Sequence, residues 1–148
     1  MVSKTIGHIE FSRKYIIEFE DGKYRLIKLG RGWVPASSNY PIDPRLEWEG
    51  DTVVLETENI DELIEKIRGL IIREMVDAEE MIKELNEEYR RYPYKHDFYE
   101  CWLAYYHDKY NNFARLEKRI NEIKEAIVNR KEFKWKWGVY RIEIAPRD

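Results

Sequence analysis

At 148 residues, 43% hydrophobic and 37% charged, the chain is long enough to bury roughly 70% of its unfolded surface as one domain spanning 1–148. Its single cysteine excludes an intramolecular disulfide, and no uncharged apolar run approaches the ~18 residues that span a bilayer. With no signal-peptide core in the first eleven residues, the expected compartment is the cytoplasm, and no membrane partner is expected.

Net charge is −3, but it is unevenly spread. Sixteen acids against six bases between Ile42 and Arg90 give a local −10. Seven bases against four acids from Met1 to Ala36 give +3, and five against one from Val128 to Arg141 give +4. Such asymmetry steers partners, or lets basic ends sit against an acidic helix. The chain has no glutamine and is rich in Glu, Lys and Arg, the composition of proteins adapted to very hot environments.

The first third reads as short strands. Tyr15, Ile17 and Phe19 alternate with polar residues, Asp21-Gly22 follows, and Tyr24 and Leu26 resume the alternation. A two-residue Asp-Gly loop predicts a type I′ hairpin, because both loop positions need positive φ. That register sets Phe19 against Tyr24 and Ile17 against Leu26, with Glu18–Arg25 and Glu20–Lys23 as opposite charges on the other face. The stretch from Gly30 to Pro44, with three prolines, reads as a long connection. A second hairpin is expected from Leu46–Trp48, a turn near Gly50, and Thr52–Thr57.

Asn59 with Glu62 three residues later forms a capping-box signal for a long helix. Its apolar residues, Ile64, Ile67, Ile71, Met75, Ala78, Ile82, Leu85, Tyr89 and Tyr92, form a heptad seam with one stutter after Gly69. Pro93 ends it. Asp97, with Glu100 at the third position, is expected to cap a second helix carrying Phe98, Trp102, Tyr105, Phe113, Leu116, Ile120, Ile123 and Ile127. The loop between them is short, which makes the two helices an antiparallel, coiled-coil-like hairpin over 59–131. Phe133, Trp135 and Trp137 share one parity and Tyr140, Ile142 and Ile144 the other, so a bulge at Gly138 is expected to turn all six to the core. The fold class is therefore α+β: an N-terminal antiparallel β-meander (1–58) and a C-terminal strand (132–148), with the helical hairpin inserted before that strand.

Ten aromatic residues fall between Tyr89 and Phe113, around the far end of the hairpin. Tyr and Trp anchor protein interfaces at low rotamer cost. Tyr99, Trp102, Tyr106 and Tyr110 are therefore the expected interaction surface, for a homo-oligomer or another protein. The blander reading is a tip closed on its own rings. The alternative function is nucleic-acid association through Arg130, Lys131, Lys134, Lys136 and Arg141 with the Gly30–Pro44 loop. Against it, strand alternation sets Lys134 and Lys136 opposite Phe133, Trp135 and Trp137, whereas a stacking platform needs rings and cations on one face. His96, Glu100, His107 and Asn111 share a helical face, but too few ligands converge at any level to expect a metal. Gly30-Arg31-Gly32 lacks the residues of a phosphate loop, and Ser37 and Ser38 sit in no nucleophile elbow. No catalytic residue and no cofactor are expected.

Overall fold

In a computed structural model, the structure describes residues 4–30, 33–35, 46–48 and 50–146. Six strands form one antiparallel sheet: β1 (Lys4–Glu10), β2 (Lys14–Glu20), β3 (Lys23–Lys28), β6 (Thr52–Thr57), β7 (Phe133–Trp137) and β8 (Tyr140–Ile144), in the order β6-β3-β2-β1-β8-β7. β4 (Trp33–Pro35) and β5 (Leu46–Trp48) pair separately. Between β6 and β7 run α1 (Ile60–Arg91), a 3-10 turn (Pro93–Lys95), α2 (His96–Lys118) and α3 (Ile120–Val128). The expected α+β architecture is the one observed, with the chain's two ends meeting where β1 pairs with β8.

The Asp-Gly hairpin forms in the expected register, Phe19 across from Tyr24 and Ile17 across from Leu26, with Asp21 and Gly22 both at positive φ. On its outer face Glu18 and Glu20 stand across from Arg25 and Lys23 as expected. Arg25 also reaches Glu20 on the diagonal at 3.1 Å and Glu56, directly opposite on β6, at 2.7 Å. The expected pairing of Leu46–Trp48 with Thr52–Thr57 does not occur. β5 pairs back onto β4, and β6 takes the open edge of β3, where Leu26 meets Leu55.

Asn59 caps α1 by accepting from the Asp61 backbone N–H at 2.9 Å, but the capping box is not closed by Glu62; the Asn59 N–H donates to Thr57 Oγ1 instead. Asp97 does not cap α2. Lys95 holds the cap position without a side-chain bond, and Asp97 lies in the first turn, where its charge complements the helix dipole. The second helix is also not continuous. At Arg119 the backbone N–H bonds to the Leu116 carbonyl, a 3-10 spacing, and Arg119 lies over the Phe133 ring at 4.8 Å. The bulge expected at Gly138 is instead a turn: Gly138 at φ +58 and Val139 join two strands, with Trp137 opposite Tyr140, Trp135 opposite Ile142 and Phe133 opposite Ile144. A glycine at the first loop position fits a type II′ turn. Partners directly opposite share a face, so all six still point inward, by pairing rather than by bulging.

The helices cover one face of the sheet. Ile6, Ile9, Ile17, Leu26, Ile142 and Ile144 below, and Leu63, Ile67, Ile71, Phe113, Leu116, Ile123 and Ile127 above, form the buried core. Each such side chain contributes about 1.5–3 kcal/mol by leaving water. Among the described residues, this core takes nothing from between Met75 and Phe113. The reason is geometric. The 32 residues of α1 reach about 48 Å and run along the strands, from beside Thr57 at the β2–β3 turn end to Glu74 against Ser12 in the β1–β2 turn. Strands of five to seven residues, in contrast, are only roughly 16–23 Å long. About half of the hairpin therefore extends past the sheet.

Candidate interaction surface

Along the overhang the two helices bury a narrow seam: Ala78 and Leu85 from α1, and Tyr99 from α2. Tyr99 is 2% exposed and stacks on Tyr89 with ring centroids 5.4 Å apart, so it belongs to the seam and not to the surface. Burial, and then the Glu88 carboxylate, raise its phenol above the usual tyrosine range. Tyr89 also hydrogen-bonds with His96 Nδ1 and donates to Glu100 at 3.3 Å, tying the helix ends together.

Beside the seam, Phe98, Trp102, Tyr105, Lys109, Phe113 and Leu116 recur at three- and four-residue steps and form one stripe of α2. At its root the stripe is buried against the sheet. Toward the tip the same stripe emerges: Tyr105 is 40% exposed, Trp102 43% and Phe98 52%, with Tyr94 of the 3-10 turn at 77%. The rings touch in sequence, Phe98 to Trp102 (6.5 Å), Trp102 to Tyr105 (5.8 Å), Tyr105 to Trp137 (5.3 Å), Trp137 to Tyr140 (5.7 Å) and Tyr140 to Phe113 (5.4 Å). Tyr106 is half-buried, stacked on Trp102 at 6.1 Å, and Tyr110 is half-buried on the flank. Of the four residues expected from sequence, Trp102 lies in this exposed row, Tyr106 and Tyr110 edge it, and Tyr99 lies behind it. Phe98 and Tyr105 were missed because their spacing matches Phe113 and Leu116, which reads as core.

A polar node anchors the root of the overhang. Lys109 and Glu74 are both buried and pair at 3.2 Å. Ser12 donates to both Glu74 oxygens, at 2.8 and 2.9 Å, and the ammonium lies 4.8 Å over the Tyr140 ring. Burial pulls the Lys109 pKa down, but Glu74 and the Tyr140 hydroxyl outweigh it and hold it above the usual lysine value. A lysine so protonated is a clamp and not a general base. Next to it, Trp137 Nε1 donates to Asp108 at 2.9 Å.

No protein family, curated protein or solved structure matches the chain. The surface must therefore be read from its own chemistry. Among the described residues, no three His, Cys, Asp or Glu side chains are grouped to hold a metal, and no helix is long and apolar enough to cross a membrane. Of the basic set, Arg130, Lys131, Lys134 and Lys136 are exposed, and Arg141 is engaged by Glu10 at 2.8 and 3.1 Å and by Glu143 at 3.5 Å. Trp135 and Trp137 face the helices, opposite Lys134 and Lys136, so the rings of β7 itself do not lie on its lysine face. Most of the Gly30–Pro44 loop lies outside the described residues; Gly30 donates its N–H to Asp51 at 2.8 Å.

Proposed function

We propose that the chain is a non-enzymatic assembly protein that pairs with a second copy of itself through the overhanging half of its helical hairpin. The observation that carries this reading is the stripe of Phe98, Trp102 and Tyr105, which continues the core register of α2 into solvent. With Tyr92 and Tyr94 these rings, at ~150–250 Å² each when fully buried, leave roughly 500 Å² of aromatic surface open. That matches the apolar centre of an interface burying ~800 Å² per partner.

Charge supports a second copy as the occupant. Glu79, Glu80, Glu84, Glu87 and Glu88 make the overhanging half of α1 acidic, while Lys131, Lys134 and Lys136 make the β7–β8 end basic. Two overhangs laid antiparallel about a twofold axis near Trp102 bring the acidic arm of each to the basic end of the other. Such an isologous contact closes as a dimer with four helices at its centre. The glutamine-free, charge-rich composition supports a setting at high temperature, and the lone cysteine a reducing cytoplasm.

Light scattering at micromolar concentration tests the reading. The wild type is expected at twice its 18.1 kDa chain mass. Phe98→Ser with Trp102→Ser should cost about 2 kcal/mol or more of association per anchor and give a monomer, with the melting temperature within a few degrees of wild type. Tyr99→Ser, in the seam, should instead cost about 3–5 kcal/mol of stability. A monomeric wild type rules out the second copy, and a collapse of stability in the Phe98/Trp102 variant makes those rings core.

A further inference from the structure

Away from the aromatic stripe, a cleft of about 310 Å³ opens between the β1–β2 turn, the ends of β2 and β3, and the middle of α1. Phe11, Leu70 and the Tyr15 ring contribute its apolar surface. Three cations reach it from three separate elements: Arg13 from the turn, Lys28 from the end of β3 and Arg73 from α1. Lys28 stands directly across from Tyr15 in the sheet register. Burial raises the Tyr15 phenol above the usual tyrosine value, with the Arg13 and Arg73 charges acting to lower it and the Glu74 carboxylate to raise it. Arg13 is held in position by donating to the Leu29 carbonyl at 3.2 Å.

Two carboxylates also line the cleft, Glu74 and Asp77. Glu74 is already engaged by Lys109 and Ser12. Among the residues lining the cleft, three cations outnumber the two carboxylates, in a chain whose net charge is −3. A phosphate monoester carries about −1.5 to −2 near neutral pH and offers three acceptor oxygens. Guanidinium forks match those oxygens in pairs, and a tyrosine hydroxyl adds a neutral donor. The volume stands at the low end of small-molecule sites, around 300 Å³ and upward, and exceeds what a bare phosphate fills.

We infer that this cleft binds a small phosphate monoester, the phosphate held by Arg13, Lys28 and Arg73 and its organic group lying against Phe11, Leu70 and Tyr15. The site is independent of the pairing surface, so either stands if the other fails.

Calorimetric titration of the full chain at low ionic strength tests it, with phenyl phosphate, inorganic phosphate and benzoate as probes. Phenyl phosphate should bind about tenfold more tightly than either of the others, since only it offers both a dianion and a ring. The variant Lys28→Ser with Arg73→Ser should lose at least about tenfold in phenyl phosphate affinity while keeping its helical circular dichroism. Asp77→Asn should tighten binding by removing the opposing carboxylate, and it tests the site even if the double variant folds poorly. The inference is overturned if phenyl phosphate gives no binding heat, if benzoate or inorganic phosphate binds equally well, or if Asp77→Asn leaves the affinity unchanged.

Discussion

Lys109 and Glu74 are the two charged side chains, among the described residues, that the fold takes out of water, and their pairing is conditional on each other. Removing one leaves the other buried and uncompensated, a loss of about 3–5 kcal/mol, whereas replacing both with apolar groups of similar size is often neutral. Lys109→Met is therefore expected to lower the denaturant midpoint sharply, and Glu74→Leu with Lys109→Met to recover most of it. The same pair sets an alkaline limit. Because the folded Lys109 pKa is raised, its contribution is present in full below the unfolded lysine pKa of ~10.4 and is lost as pH rises through the folded value. Wild type should lose more stability than the double variant does as pH rises above about 10.4. Gly7 is constrained by space: a Cβ there would meet the Glu143 carbonyl at 2.8 Å and Ile144 Cδ1 at 2.7 Å. Gly7→Ala is expected to cost about 1–3 kcal/mol by forcing β1 from β8, measured by chemical denaturation.

At the scale of elements, the helical hairpin has two regimes. Its root is stabilised by the sheet through Ile67, Ile71, Phe113 and Leu116, while its tip, among the described residues, fully buries only Ala78, Leu85 and Tyr99, with Tyr89 stacked on the last. Leu116→Pro removes a helix hydrogen bond and a buried side chain in the root, and the backbone term alone is about 3 kcal/mol. Loss of helical circular dichroism across both helices is the expected outcome; retention of the wild-type melt would mean that α2 is not built as described. Hydrogen exchange should separate the regimes in the monomeric Phe98/Trp102 variant, with amides of 79–104 opening at lower free energy than those of 63–75.

At the scale of the molecule, surface charges are organised in groups rather than scattered. Arg25 joins Glu20 and Glu56, which also meets Lys23 at 3.7 Å, and Arg141 joins Glu10 and Glu143. Networks of this kind gain at high temperature, where the penalty for desolvating charge falls. A melting temperature above about 90 °C is expected in neutral buffer, and a reversible melt near 60 °C would remove the case for thermal adaptation. Because the exposed pairs are screened, ~1 M salt should lower that midpoint.

Local chemistry alone determined the elements with strong signals. Asp21-Gly22 set a hairpin and its register because few residues tolerate positive φ twice in succession, and the heptad spacing of α1 with Pro93 set two long antiparallel helices. Where an interaction had to be found elsewhere in the chain, sequence was silent or misleading. β6 chose β3 over β5, Gly138 closed a turn where a bulge was expected, and a lysine took a core position because a glutamate 35 residues earlier faced it. The candidate surface shows the difference most clearly. Phe98, Trp102 and Tyr105 carry the same period as Phe113 and Leu116, and periodicity reports which face of a helix is apolar, not what lies against it. Only the length of the strands beneath the hairpin decided that this stripe is core at one end and exposed at the other.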